Sequence, residues 1–261
     1  MKKYLIVSGD SFTKGHELGE KGSWAYHTAK KMNLQLINLS ENGMGNEWIA
    51  SQLLSFLYRH EIILDECVVM IGWTDFAREL SFYINDESQY IEQLTIVPCD
   101  LHGDLDDTHH PYFIERITSN RSVLKKFIGN EIVCLYKTYF SILHTRSLLE
   151  KYNIPFVFFD SVANNKLYYD KKIPYILSFN GNPIYLDFNN TDIPFLKDFK
   201  EKSFSDKIFD KKYINFENKS IYQWVWLDRE KYEKGNPGHT NELAANTISD
   251  MIIKEYDKLY N

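Results

Sequence analysis

Cysteine is scarce in this chain: three of 261 residues, Cys67, Cys99 and Cys134, lie far apart and form no Cys-x-x-Cys pair. An odd, scattered set of this kind supplies neither a disulfide framework nor a zinc knuckle, and it points to a reducing compartment. Dense basic runs are also lacking. Lys and Arg number 30 against 36 Asp and Glu, a net charge of −6, so the chain has no electrostatic footprint for nucleic acid or an anionic membrane. No apolar stretch approaches the roughly 20 residues of a membrane-spanning helix. The opening Met1-Lys2-Lys3 and Tyr4-Leu5-Ile6-Val7 stops at Ser8-Gly9-Asp10, too short for the apolar region of a signal peptide. The expectation is a soluble, cytoplasmic protein. Nucleotide signatures are missing too: no Gly-x-Gly-x-x-Gly follows a strand, and the Gly-Lys pairs lack P-loop spacing. A small or neutral ligand is what these absences leave.

What is present is enough apolar residue, 44%, to bury the core of one large domain spanning 1–261. Leu5–Ser8 reads as a first strand, Trp24–Met32 as a helix, Leu34–Leu39 as a second strand. Asn46 is expected to cap a helix carrying Ile49, Leu53, Leu54 and Leu57 on one stripe. Cys67–Gly72 is a continuous apolar run of the kind found in buried parallel strands. Residues 131–151 read as a long helix, Ile154–Asp160 as a fourth strand, Ile221–Trp226 as a fifth, and Leu243–Tyr256 as a closing helix. Strands alternating with helices predict a parallel sheet covered on both faces, with ligands beyond the strands' carboxyl ends. The alternation breaks at about 84–125 and at about 161–220, insertions long enough to serve as a lid.

Two residues at element boundaries carry the chemistry. Ser11, in Gly9-Asp10-Ser11, ends the first strand in a turn that exposes its hydroxyl. His239, in Asn236-Pro237-Gly238-His239, stands where a turn enters the last helix. A serine hydroxyl is a poor nucleophile at neutral pH, and an imidazole with a pKa near 6.5 can take its proton and return it to the leaving group.

These blocks, together with Gly45 in Gly43-Met44-Gly45-Asn46 and with Gly72-Trp73-Thr74-Asp75, resemble the four motif blocks of the SGNH hydrolase superfamily, the GDSL esterases and lipases. Order and spacing both agree, from residue 9 to residue 242. The resemblance implies a three-layer α/β/α sandwich with a mostly parallel, flavodoxin-like central sheet, Ser11 as nucleophile, His239 as general base, and the amides of Ser11 and Gly45 as oxyanion donors. It implies no cofactor and no metal. The expected reaction is removal of a short acyl group, such as acetyl, from a small-molecule or glycan ester through an acyl-enzyme. Asp10, Trp73, Asp75 and Trp226, beside the blocks, are candidate substrate contacts.

The pattern departs from the family at two positions. The third oxyanion donor, an asparagine side chain in the family, is Thr74 here, with Asn46 as a substitute. The acid expected three residues before the histidine is Asn236, which can orient the imidazole but stabilises its cation less than a carboxylate does. Three readings follow: a Ser-His dyad oriented by Asn236 or a backbone carbonyl, a triad whose acid is Asp228, Glu233 or Glu242, or an inactive scaffold that binds a glycan or protein partner. Acyl transfer to an acceptor other than water shares the same intermediate. His102-Gly103-Asp104-Leu105-Asp106-Asp107-Thr108-His109-His110 gathers metal-ligating residue types, yet matches neither an EF-hand nor a His-Glu-x-x-His helix, and reads as a solvated loop.

Overall fold

The computed structural model describes residues 2–76, 78–84, 91–96, 131–162, 175–176, 183–184, 206–216, 219–233 and 239–260. Four strands, β1 (Tyr4–Ser8), β2 (Gln35–Asn38), β3 (Cys67–Trp73) and β6 (Phe156–Asp160), form one sheet in the order β2-β1-β3-β6. All three pairings are parallel, with Ile6 opposite Ile37 and Val69, and Val69 in turn opposite Phe156. Every residue of β3 is buried, which explains its unbroken apolar run: a strand covered on both faces has no polar side to show.

The two-residue period of the strands sorts the core into two layers. Ile6, Val69, Ile71, Trp73, Phe156 and Phe158 face one side, where they meet Ile49 and Leu53 of α3 (Asn46–Arg59) and Leu135, Tyr139 and Ile142 of α4 (Glu131–Lys151). Leu5, Val7, Val68, Met70, Val157 and Phe159 face the other, against Trp24, Ala25 and Ala29 of α2 (Trp24–Lys31) and Ala245, Ile248 and Ile252 of α7 (Glu242–Tyr260). Thr28 donates a 3.0 Å hydrogen bond to Ser249 between these last two helices. The result is a three-layer α/β/α sandwich. Because the chain leaves β1 for β2 on one side and returns to β3 on the other, the crevice between the carboxyl ends of β1 and β3 is where such a sheet opens to ligands.

Local chemistry sets the boundaries. Ser23 caps α2, accepting from Tyr26 N at 3.1 Å. The expected cap of α3 is corrected: Gly45 is the N-cap and Asn46 is the first helical residue, because the Asn46 side chain is drawn elsewhere, as described below.

The expected fifth strand is also corrected. Ile221–Trp226 is a helix, α5, started by a capping box in which Ser220 accepts from Gln223 N and the Gln223 side chain returns to the Ser220 amide. Its alternation of β-branched and aromatic residues imitates a strand, but the reciprocal cap fixes a helical first turn. The edge of β6 is covered instead by 212–214: Phe158 N donates to Lys212 O at 2.9 Å and Ile214 N to Phe158 O at 2.7 Å. The first expected insertion opens on an antiparallel hairpin, β4 (Glu79–Ile84) with β5 (Ile91–Ile96). In the second, β7 (Tyr175–Ile176) pairs with β8 (Pro183–Ile184). The rest of 84–125 and the greater part of 161–220, including the expected lid, lie outside the described residues, as does 102–110.

Candidate active site

The turn after β1 is built on a close approach of backbones. A Cβ on Gly9 would stand 2.1 Å from Thr13 Oγ1 and 3.1 Å from Gly72 O, so only glycine lets β1 run on beside the end of β3. Asp10 then caps the short helix α1 (Ser11–Lys14), its Oδ1 accepting from Phe12 N at 3.1 Å. Gly15, with φ of 82°, closes that helix in the left-handed region. Ser11 is therefore held at the first position of α1, where its amide has no intrahelical acceptor.

His239 arrives from the far end of the sequence. Thr240 forms an antiparallel bridge with Glu233, Asn241 N donates to Tyr232 O at 2.8 Å, and Asn241 Oδ1 accepts from Ala244 N at 2.9 Å to start α7. The His239 ring stacks on Phe12, centroids 5.2 Å apart at 27°. Its Nε2 lies 3.1 Å from Ser11 Oγ, across 228 residues of chain. With the proton on Nδ1, the serine hydroxyl donates to Nε2, the geometry a general base needs.

Asp10 is fully buried and ties three elements together. Its Oδ2 accepts from Thr74 Oγ1 at 2.8 Å and from Arg78 Nη1 at 3.5 Å. Asn46, also buried, forms a two-way bridge to the same loop. Its Oδ1 accepts from Thr74 N at 2.8 Å, while its Nδ2 donates to Thr74 O at 3.1 Å and to Thr138 Oγ1 of α4 at 3.0 Å. The one proton of Thr74 Oγ1 thus points at Asp10, and both amide protons of Asn46 point at Thr74 and Thr138. The two side chains considered for a third oxyanion donor serve in this arrangement as cross-links that hold the loop after β3 against the heads of α1 and α3. Gly45 sits where that loop passes, and a Cβ there would meet Arg78 O at 2.3 Å.

The candidate substrate contacts divide. Trp73 is corrected: its ring is fully buried among the core residues of β3 and meets Phe158 edge-on at 5.4 Å, because period-two alternation turns residue 73 toward α3 and α4. Asp75 is half-buried, and its carbonyl accepts from Arg78 N at 3.2 Å. Trp226 is exposed, with Arg229 Cζ 4.4 Å from the ring centroid. It stacks on Tyr222 at 5.8 Å, and Tyr222 meets Phe12 edge-on at 6.2 Å, so an aromatic row leads from His239 to the surface.

Asn236 lies outside the described residues. Of the other acids, Glu233 accepts from Arg229 Nε at 2.7 Å, Glu242 is exposed at the start of α7, and Asp228 precedes α6 (Arg229–Tyr232). Residues that sequence reasoning passed over are Phe12, Arg78 and His16. The His16 ring is 5.0 Å from that of His239. Two of them, at one and five positions past Ser11, were signalled by sharing its turn. Arg78 carries no such signal. Among the described residues no group of three or more His, Cys, Asp or Glu is placed to hold a metal ion.

Compared with family models the chain matches none, and no curated protein matches it. Solved structures do share its architecture. The psychrotrophic esterase EstA from Pseudoalteromonas sp., in a structure inhibited by monoethylphosphonate, is 13% identical over 100% of both chains with a TM-score of 0.50. TesA is 9% identical, covering 98% of this chain and 99% of its own, with a TM-score of 0.50. The chain has the SGNH-hydrolase fold. On that fold, the Gly-Asp-Ser turn follows β1, Gly45 heads α3, and the histidine precedes the last helix. No helix among the described residues is long and apolar enough to cross a membrane.

Proposed function

We propose that the protein is a serine esterase that hydrolyses a short acyl ester, with acetyl on a carbohydrate as the favoured substrate. The observation that carries this reading is the 3.1 Å approach of Ser11 Oγ to His239 Nε2. Ser11 attacks the ester carbonyl as His239 takes its proton, and the tetrahedral oxyanion is met by the amides of Ser11 and Gly45. His239 then protonates the leaving alcohol, and water repeats the cycle in reverse to free the acid. Each oxyanion donor contributes about 2.7–4 kcal/mol of transition-state stabilisation in comparable sites. With Thr74 and Asn46 engaged elsewhere, the hole rests on two backbone amides.

A short acyl group is favoured by the place of one apolar hollow among the described residues. An apolar hollow of about 280 Å³, lined by Leu54, Leu57, Tyr58, Leu64, Leu148 and Tyr152, sits at the carboxyl end of α3. That end leads into the start of β3, the opposite end of the sheet from Ser11, so a chain esterified to Ser11 has no access to it. A second reading, a scaffold that binds without catalysis, draws on Asn236 standing where the family carries an acid.

One experiment separates the two. A fluorophosphonate probe labels Ser11 in the esterase, seen as one added mass per chain, and Ser11→Ala abolishes both the label and hydrolysis of p-nitrophenyl acetate. An unlabelled wild-type protein with no turnover would leave only the binding scaffold.

A further inference from the structure

Arg78 stands where the loop after β3 passes the heads of α1 and α3, and most of its guanidinium is unclaimed by the protein. We propose that Arg78 is a catalytic residue of the ester hydrolysis, donating from its planar fork to the oxyanion beside the amides of Ser11 and Gly45. This role rests on the esterase reading and adds to it a cation where negative charge develops.

The path of the side chain comes first. It begins beside Gly45: a Cβ placed on that glycine would lie 3.4 Å from Arg78 Cβ. It ends at Asp10, whose Oδ2 accepts from Arg78 Nη1 at 3.5 Å while its Oδ1 accepts from Phe12 N at 3.1 Å. Asp10 and Phe12 are the two neighbours of Ser11 in the chain. The side chain thus spans the two residues whose amides face the oxyanion in the proposed reaction.

Neutralising Asp10 is a separate reason for a cation here, since a carboxylate removed from water needs one, and among the described residues Arg78 is the cation within reach. That task leaves most of the fork unused. A guanidinium committed to a carboxylate closes on it with two parallel bonds of about 2.7–2.9 Å. Arg78 instead stands off at 3.5 Å on one nitrogen, and of its several N–H groups that is the one with an acceptor among the described residues. The Asp10 side chain is fully buried, while 22% of the Arg78 side chain is exposed. A substrate that cannot touch the acid can therefore touch the arginine.

The reaction gives those N–H groups an anion to meet. As Ser11 Oγ bonds to the ester carbon and its proton passes to His239 Nε2, the carbonyl π pair moves onto the oxygen, and it returns when the alcohol leaves. Arg78 gives up no proton at any stage, because its pKa lies above about 12. It supplies a fixed charge and donors already in place. With Thr74 Oγ1 and Asn46 Nδ2 committed to the fold, Arg78 is the side chain with donors to spare among the described residues of this loop.

The test measures p-nitrophenyl acetate hydrolysis by the full chain carrying Arg78→Met, Asp10→Asn, or both. Asp10→Asn removes the buried charge but keeps an oxygen to accept from Phe12 N, so in that background Arg78 has nothing left to neutralise. Adding Arg78→Met there should lower kcat by a further factor of about 10², with KM held within about twofold. A purely neutralising arginine gives no further fall, and that result would overturn the role. A loss confined to KM would overturn it too, since such a contact is made equally to bound ester and transition state. Should the Asn variants not fold, Arg78→Lys keeps a cation opposite Asp10 without the fork: kcat about tenfold lower at an unchanged Tm supports the role, and a wild-type kcat ends it. No hydrolysis by the wild-type chain would instead bring down the esterase reading, and this role with it.

Discussion

The turn that carries Ser11 and the segment that carries His239 are secured by different means. Around Ser11, buried side chains are bonded to one another across four elements: Asp10 reaches Phe12, Thr74 and Arg78, and Asn46 reaches Thr74 and Thr138. His239 is carried by the backbone bridge from Thr240 to Glu233 and by the face of Phe12. Ser11 and Gly45, whose amides are the oxyanion donors of the proposed reaction, are thus held by the same network that holds the fold together. His239, the base of the proposed reaction, is presented by a segment that makes none of those hydrogen bonds. Geometry that must be ready before substrate arrives is built into the core, and the proton carrier is added from outside it.

The largest expected effect breaks the comparison on its looser side. His239→Ala should lower kcat/KM for p-nitrophenyl acetate by about 10³-fold or more, while unfolding free energy changes by less than about 1 kcal/mol because the ring is only half-buried. Urea melts and initial rates on one preparation check both halves. A drop in stability as large as that in the next variant would erase the distinction between the two sides.

Asp10→Ala breaks the tighter side. It strips a cap from α1 and leaves Thr74 and Arg78 without their buried acceptor, costs that together come to about 3 kcal/mol. For a chain of this size that is a fall of about 6–12 °C in Tm. Activity should fall with it, since Ser11 is the next residue. A stable but inactive variant would mean that the network serves only the chemistry.

A smaller change sharpens the comparison. Asn236→Asp restores a charge three residues before His239, where the imidazolium forms. If Asn236 or a backbone carbonyl orients the ring now, kcat should rise by about tenfold, with no change in KM for the ester. An unchanged kcat would show that the missing charge does not limit turnover.

Most of the tight side was legible in the sequence because its signals are local. Gly9-Asp10-Ser11 follows a strand within one turn, and Cys67–Trp73 is apolar throughout, so β1, β3 and the turn that carries Ser11 follow from period and turn chemistry. Four features were hidden, two of them, Asn46 and Arg78, because they depend on partners distant in sequence. Trp73 looked like a pocket residue until the alternation of β3 turned it into the core. Asn46 looked like a helix cap, yet its amide is claimed by Thr74 and Thr138. Ile221–Trp226 has the composition of a strand, and a four-residue capping box outweighs it. Arg78 could be placed beside Asp10 only once β1 and β3 were known to be neighbours.

The weakest effect lies at the other end of the sheet, away from the catalytic pair. Cys67 opens β3, is fully buried, and its Sγ donates to Leu64 O at 3.4 Å. Burial pushes its thiol up to about 11 from an ordinary value of 9.0. The folded chain therefore keeps the proton over a range in which the unfolded chain loses it. The stability this provides is intact below pH 9 and is lost as pH rises through about 11, with a slope of at most about 1.4 kcal/mol per pH unit. Other groups that ionise in this range, Tyr256 among them, act equally in wild type and in Cys67→Ala. The difference between their two stability curves isolates the thiol: it should be flat at neutral pH and narrow as the solution is made alkaline. Parallel curves throughout would show that Cys67 ionises alike in both states, and that this end of β3 is more open to water than its packing implies.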